Sequence, residues 1–292
     1  MFGTLPLFAA ERYEFEEPQM GVPVRIILYT DNVEKAAKAA AAAFAEFSRL
    51  NVVMSDYDSE SELSVLCADG GSPKASRDLF AVLTAAKHYC TISDGAFDIT
   101  VGPMVRLWRR SKRQKELPKP QYIEAAKQLT GNDLWILDEK CRSVKLLKPG
   151  MKLDLGGIAK GYAIDKAFEA ICKHGIMSQL VDAGGDLRIG TPPPGEKGWK
   201  VLVNNQTELL YDIAVAVSGD QFQFIEIGGK KYAHIVDPKT GLGVTEQRTV
   251  CVKAATAMEA DALASAVFVL GKEKGELLIK KLPGVSVKVF TK

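Results

Sequence analysis

Three stretches of the chain carry oxygen and nitrogen groups at spacings suited to chemistry on an anionic substrate. In Asp154-Leu-Gly-Gly-Ile-Ala-Lys-Gly161-Tyr162 an alternating apolar segment meets two glycines, and a helix-forming run follows. N–H groups at a helix start favour a phosphate, and Lys160 adds a cation. The pattern is neither a Walker A loop nor G-x-G-x-x-G, and an ordinary strand–helix turn accounts for it equally well. Asp261 and Ser265 stand four positions apart, so on a helix they share one face. Ala260, Ala262, Leu263, Ala264, Ala266 and Val267 surround them, and a carboxylate among such neighbours is costly unless paired or metal-bound. Two oxygen ligands completed by waters and a substrate phosphate commonly hold Mg2+. The plainer account is a helix-dipole contact for Asp261 and a carbonyl bond for Ser265. His234-Ile-Val-Asp-Pro-Lys-Thr-Gly241 ends in a turn built on Pro238 and Gly241. Its imidazole can serve as a general base near neutral pH, or simply bond within a hairpin.

Two further stretches are weaker. Gly95-Ala-Phe-Asp98-Ile-Thr100-Val-Gly102-Pro103 puts glycine, aromatic, acid and hydroxyl into one loop, a set that could wrap a ring-bearing ligand. Met54-Ser-Asp-Tyr57-Asp58-Ser-Glu-Ser-Glu62 is acidic with one tyrosine and reads equally as a solvated loop before a helix. The six basic residues over 106–115 read as a solvated surface, and 111–120, closed by two prolines, as an exposed connector.

The elements that must position these groups follow from periodicity and punctuation. Strands are expected over 22–29, 153–155, 179–189 (interrupted at Asp182–Asp186), 199–203, 213–217, 223–227, 232–236 and 285–290, with a hairpin over 134–147. Helices are expected over 33–50, from an N-cap at Ser76 to about 92, over 158–173, and from the capping box Thr256-x-x-Glu259 to 270. Strands and helices mix without strict alternation, so the fold class is α+β, mixed sheets with packed helices. The chain reads as one domain over 1–292 or as two closely packed α+β lobes.

Composition narrows the function classes. Of 292 residues, 47% are apolar and 25% charged, a soluble globular mixture that excludes disordered, collagen-like and coiled-coil chains. A net charge of +2 gives no argument for nucleic acid as a partner. No stretch approaches the roughly 18 apolar residues of a transmembrane segment. Cys67, Cys90, Cys141, Cys172 and Cys251 are scattered and form no C-x-x-C, so separate thiols are expected, with one distant pair left open.

Taken together, the motifs resemble the FAD:protein FMN transferase family, the ApbE-like flavin transferases. The resemblance runs in order through Met20-Gly21, Met54-Ser-Asp-Tyr57-Asp58, Gly95-Ala-Phe-Asp98-Ile-Thr100, the Asp154–Gly161 motif, Asp182-Ala-Gly-Gly-Asp186, Ser218-Gly-Asp220, the His234–Gly241 motif and Asp261-Ala-Leu-Ala-Ser265. Each is weak alone, whereas eight in sequence are specific. The resemblance implies an Mg2+-dependent transferase with FAD as substrate. It would move the FMN half onto a Thr or Ser hydroxyl of an acceptor protein and release AMP, which is protein flavinylation, a post-translational modification. The acceptors implied are subunits of flavin-bearing redox complexes.

Carried over by position, Met20, Tyr57, Ala96, Phe97, Asp98, Asp154, Lys160 and Ile235 would contact the flavin nucleotide. The metal would take the Gly157 carbonyl and the side chains of Asp261 and Ser265. His234 is the candidate general base, ahead of Asp98 and Asp220. The alternatives are an FAD pyrophosphatase giving FMN and AMP, and a non-catalytic flavin-binding protein. Two positions depart from the family pattern: Val22 stands where Thr is frequent, and Ser265 where Thr is usual, with the ligand oxygen kept. Family members are normally exported, in the periplasm or attached to a membrane. Residues 1–10 are apolar but short and lack basic residues, so they do not read as a signal peptide, and a cytoplasmic location stays open.

Overall fold

The computed structural model describes residues 10–203, 206–219 and 224–291. Asp220, Gln223 and the apolar stretch 1–9 therefore lie outside the described residues.

The chain begins with β1 (Glu11–Gln19) and β2 (Val22–Thr30), an antiparallel hairpin turning on Met20 and Gly21 at φ 47° and 77°. Glycine takes that region freely, whereas Met20 does so against the clash of its Cβ with the backbone. β1 escapes the sequence reading because Glu11, Glu14, Glu16 and Glu17 mask the alternation of Tyr13 and Phe15, which pack against the main core. Next come α1 (Val33–Met54), α2 (Glu62–Asp69), β3 (Gly71–Ser72) and α3 (Arg77–Ile92). Ser76 caps α3 as expected, its hydroxyl accepting from the Leu79 N–H at 3.2 Å.

α4 (Gly102–Gln114) and α5 (Pro120–Lys127) follow. They correct the expected connector over 111–120, since 111–114 form the last turn of α4 and Ser111 is buried. Met104, Trp108 and Ser111 fall on one helical face, and Arg, Lys and Gln are good helix formers, so the helix runs on to Lys115, in the left-handed region at φ 54°. β4 (Trp135–Asp138) and β5 (Ser143–Leu146) make the expected hairpin. The expected strand over 153–155 does not form a ladder. Leu153 and Leu155 are buried and alternate with Asp154, but the backbone bonds go to single groups: the Leu153 N–H donates to the Cys67 sulfur and the Asp154 N–H to the Ile99 carbonyl.

α6 (Ala159–Lys173) leads to β6 (Gln179–Ala183) and β7 (Asp186–Ile189), and then to β8 (Trp199–Val203), β9 (Gln206–Leu210) and β10 (Ile213–Gly219). β11 (Phe224–Ile227) pairs with β12 (Lys230–Ala233). The strand expected over 232–236 divides at His234 and Ile235. β12 ends before them, and β13 (Val236–Asp237) turns back on β14 (Leu242–Gly243). β15 (Arg248–Ala254), α7 (Ala257–Leu270), α8 (Lys272–Ile279) and β16 (Ser286–Thr291) complete the described chain.

The main sheet has seven strands in the order β1-β2-β6-β7-β10-β15-β16, every neighbour antiparallel. Period-two alternation divides its side chains between two faces. Val24, Ile26, Leu28, Ala214, Ala216, Val250 and Val252 join the large core formed with α1, α3, α6 and α7. Ile27, Val215 and Cys251 face the other way and are covered by the β8–β9 hairpin through Trp199, Val201 and Val203. A smaller cluster joins Met104 and Trp108 of α4 to Ile225, Tyr232 and Val236. All five cysteines are free thiols. Among the described residues no helix is long and apolar enough to cross a membrane.

Candidate active site

The Gly156–Gly157 turn and α7, about a hundred positions apart in sequence, meet in the fold. A Cβ built on Gly157 would lie 2.8 Å from the Ser265 hydroxyl oxygen and 3.4 Å from the Phe97 ring. One turn further along, the Gly161 N–H donates to the Asp261 carboxylate at 3.0 Å. α6 and α7 approach this closely because Gly161 has no side chain: a Cβ there would lie 2.3 Å from the Ala257 carbonyl oxygen, a backbone atom that cannot swing aside. Asp165 of α6 strengthens the junction by accepting from the Ala257 and Met258 N–H groups at 2.8 and 2.9 Å, so one helix caps the start of the other. Gly161→Ala is therefore expected to wedge the two helices apart and cost about 1–3 kcal/mol, the usual range for overpacking. Urea denaturation checks this, and an unchanged midpoint would contradict so close a crossing.

Asp261 is buried, and burial pushes its carboxyl up to about 7 while nearby Lys160 pulls the other way. The Lys160 ammonium pairs with Asp186 and is 3.4 Å from the Ala183 carbonyl. Burial opposes the charge on Lys160, but Asp186 and Asp261 outweigh it and hold the pKa above the ordinary lysine range. Asp186 also accepts from the Val217 N–H at 2.9 Å, which brings β10 to the same place. The sequence reading gave Lys160 to the substrate alone, and it assigned no role to Asp186. Some N–H groups at the glycine turn are also committed: Gly156 donates to Asp154 at 2.8 Å, and Gly161 to Asp261.

With both carboxylates ionised, the Lys160–Asp186–Asp261 group carries one negative charge in excess. Asp261, Ser265 and a backbone carbonyl at Gly157 are hard oxygen donors of the kind Mg2+ prefers. The residues thus fit a divalent cation. Among the described residues no group of three or more His, Cys, Asp or Glu side chains is placed to hold a metal ion, so such an ion would rest on this mixed donor set.

The expected nucleotide-contacting residues lie on turns and loops with anchors of their own. Met20 stands at the tip of the β1–β2 hairpin, whose Val22 lies against Gly184 in the turn between β6 and β7. Ala96, Phe97 and Asp98 form a buried loop. Asp98 accepts from the Thr100 N–H at 2.8 Å and its hydroxyl at 2.6 Å, and burial raises its pKa against those bonds. The Asp154 N–H donates to the Ile99 carbonyl at 2.7 Å, which fastens this loop to the glycine turn. Burial, then the nearby Asp56, raise the pKa of Asp154 against the opposing Gly156 N–H and Arg109. Tyr57 is 81% exposed.

His234 is exposed at the end of β12, and Ile235 packs partly against the main core. The turn that follows is anchored twice. The Trp108 indole donates to the Gly241 carbonyl at 3.0 Å, and Lys239 pairs with Asp94 at 2.9 Å, just before the Ala96–Asp98 loop. The turn is thus tied to α4 and to the end of α3, and Ser218 and Gly219 lie in β10, while Asp220 falls outside the described residues. Sequence reasoning missed Asp186, Asp165 and Arg109. Asp186 lay inside a quoted motif and so had a signal, whereas Arg109 was hidden in a run of like charges.

Comparison with known proteins follows the same lines. Residues 20–289 match the ApbE family. The FAD:protein FMN transferase of Treponema pallidum is 31% identical over 94% of this chain and 83% of its own length. The protein of the same name from Klebsiella pneumoniae is 29% identical over 96% and 89%. Among solved structures, the ApbE protein of Thermotoga maritima aligns with a TM-score of 0.86 at 29% identity, covering 96% of this chain and 97% of that one. The apo flavinyl transferase ApbE of Pseudomonas stutzeri gives a TM-score of 0.86 at 25% identity over 99% and 95%.

Proposed function

The chain belongs to the ApbE family and is an FAD:protein FMN transferase, and we propose that it works with a bound Mg2+, places FMN on a Thr or Ser hydroxyl of an acceptor protein and releases AMP. The observation that carries this reading is the contact of Gly157 with Ser265 and of Gly161 with Asp261, near the part-buried Lys160–Asp186 pair.

The Gly157 carbonyl, Asp261 and Ser265 would hold the ion, which would supply positive charge at the diphosphate. Asp186 keeps Lys160 charged and fixes its direction, so the ammonium is already in place when the diphosphate arrives. Tyr57 offers exposed aromatic surface for a ring of FAD. The acceptor hydroxyl attacks the phosphorus next to riboflavin, and the phosphoanhydride bond breaks. The hydroxyl proton passes to His234. Asp98 is poorly suited to that task because its carboxylate is committed to Thr100.

Incubation with FAD, Mg2+ and a protein that one of these relatives flavinylates tests the reading. Mass spectrometry of the acceptor is expected to show one added FMN, and chelation with EDTA is expected to stop transfer. FMN and AMP without a modified acceptor identify a pyrophosphatase instead. FAD left intact for hours with Mg2+ present identifies a binding protein and overturns the assignment.

A further inference from the structure

Arg109 belongs to the basic run that reads as solvated surface, yet its guanidinium touches three site residues. Nη1 is 2.5 Å from Asp56, Nη2 is 3.3 Å from Asp154, and the guanidinium carbon is 4.1 Å from the centre of the Tyr57 ring. Its neighbours behave differently: Arg110 bonds only Gln114, and Arg106, Lys112 and Arg113 form no ion pair among the described residues. Burial opposes the charge on Arg109, but the carboxylates of Asp56 and Asp154 outweigh it.

We propose that Arg109 is a positioning residue that presents Tyr57 as a stacking platform for the isoalloxazine ring of FAD. The role rests on the reading of this site as the FAD site. Tyr57 is 81% exposed, and an exposed aromatic side chain ordinarily gives up rotamer freedom when a ligand settles on it. Arg109 lies against one face of the ring and holds it before the ligand arrives, leaving the other face open. A planar guanidinium can stack and bridge two carboxylates at once, which a lysine ammonium cannot.

The bridge has a second consequence. Asp154 leads directly into the Gly156–Gly157 turn, so Arg109 ties the ring platform to the diphosphate site and sets the spacing between them. The flavin end, not the adenine end, is assigned to Tyr57 on the ground of exposure. The half handed to another protein must lie on the open side of the site, and Tyr57 is the exposed aromatic there, whereas Phe97 is buried.

Binding of FAD and FMN by flavin fluorescence, and of ADP by calorimetry, tests the role in Arg109→Ala, Arg109→Lys, Tyr57→Ala and the double variant Arg109→Ala/Tyr57→Ala. Arg109→Ala is expected to weaken FAD and FMN about two- to tenfold, the worth of one immobilised side chain, and to leave ADP unchanged. Arg109→Lys keeps a charge for Asp154 and is expected to hold the parental Tm without regaining flavin affinity, which separates positioning from folding. In the Tyr57→Ala background the Arg109 substitution is expected to add no further loss. Parental FAD affinity in Arg109→Ala, an undiminished loss in the double variant, full rescue by lysine, or an equal loss for ADP each overturns the role while leaving the FAD site intact. A parent chain that binds no FAD overturns the site reading and this role with it.

Discussion

Asp261→Asn is expected to lower FMN transfer by on the order of a thousandfold or more while FAD still binds. Charge stabilisation by a metal at a phosphoryl centre is worth several kcal/mol, and each 1.36 kcal/mol is about tenfold in rate. Asparagine keeps an oxygen that can accept from the Gly161 N–H, so the α6–α7 junction should survive and the lost group is the ionic ligand. Asp261→Ala removes the acceptor as well and should be equally inactive but less stable. Normal turnover in either variant would rule out Asp261 as the metal ligand.

The same residue gives a signed pH effect on stability. Its folded pKa of about 7 lies above the ordinary aspartate value of about 4. Between those values the native state binds more protons than the unfolded chain, so metal-free stability falls as pH rises from about 4 to 7. Asp261→Asn cannot ionise and should be free of this decline. With EDTA at pH 8 the asparagine variant is therefore expected to be more stable than the parent, and added Mg2+ is expected to reverse the order. Denaturant midpoints at pH 5 and pH 8 decide it. A metal-free parent that gains stability across this interval would show that the carboxyl is not held protonated by burial.

What could be read in advance depended on whether a local period carried it. The spacing of Asp261 and Ser265 is a helical property, and the Thr256 cap and Gly271 stop of α7 are local chemistry, so that element was legible. β2 and β10 were legible as β-branched and apolar runs, whereas β15 was not expected, and which core each face of the sheet joins is set by the elements packed on it. The meeting of Gly157 with Ser265 was not, because nothing local records a contact across such a separation. It came from family resemblance, and the close crossing permitted by Gly161 supplies its physical cause. Lys160 was visible as a cation, but its partner Asp186 lies across the β6–β7 turn. Arg109 was misread because a run of like charges ordinarily faces water, and only the approach of Asp56 and Asp154 draws one member inward. The break at His234 was missed because Tyr232, Ala233, Ile235 and Val236 read as one apolar strand, while the Ala233 N–H and Ile235 carbonyl both pair with Val244 instead.

That break gives His234 its chemical position. An uninterrupted strand would fix the imidazole within a ladder, whereas here it is exposed at the head of a turn held by the Trp108–Gly241 bond and the Lys239–Asp94 pair. An exposed group on an anchored turn can meet a hydroxyl brought by another protein without first being uncovered. His234→Ala is accordingly expected to slow transfer about 10²- to 10⁴-fold, the usual contribution of a general base. FAD binding should change by no more than about twofold, and added imidazole should restore part of the rate. Asp98→Asn provides the contrast. Its carboxylate organises Thr100 and the loop bearing Phe97, so its loss should lower Tm and FAD affinity together, with no rescue by imidazole. Transfer rates, FAD titrations and imidazole supplementation on the two variants separate a proton acceptor from a loop-building acid. If His234→Ala transfers FMN at the parental rate, the proton leaves by another route and the turn serves only to bound the site.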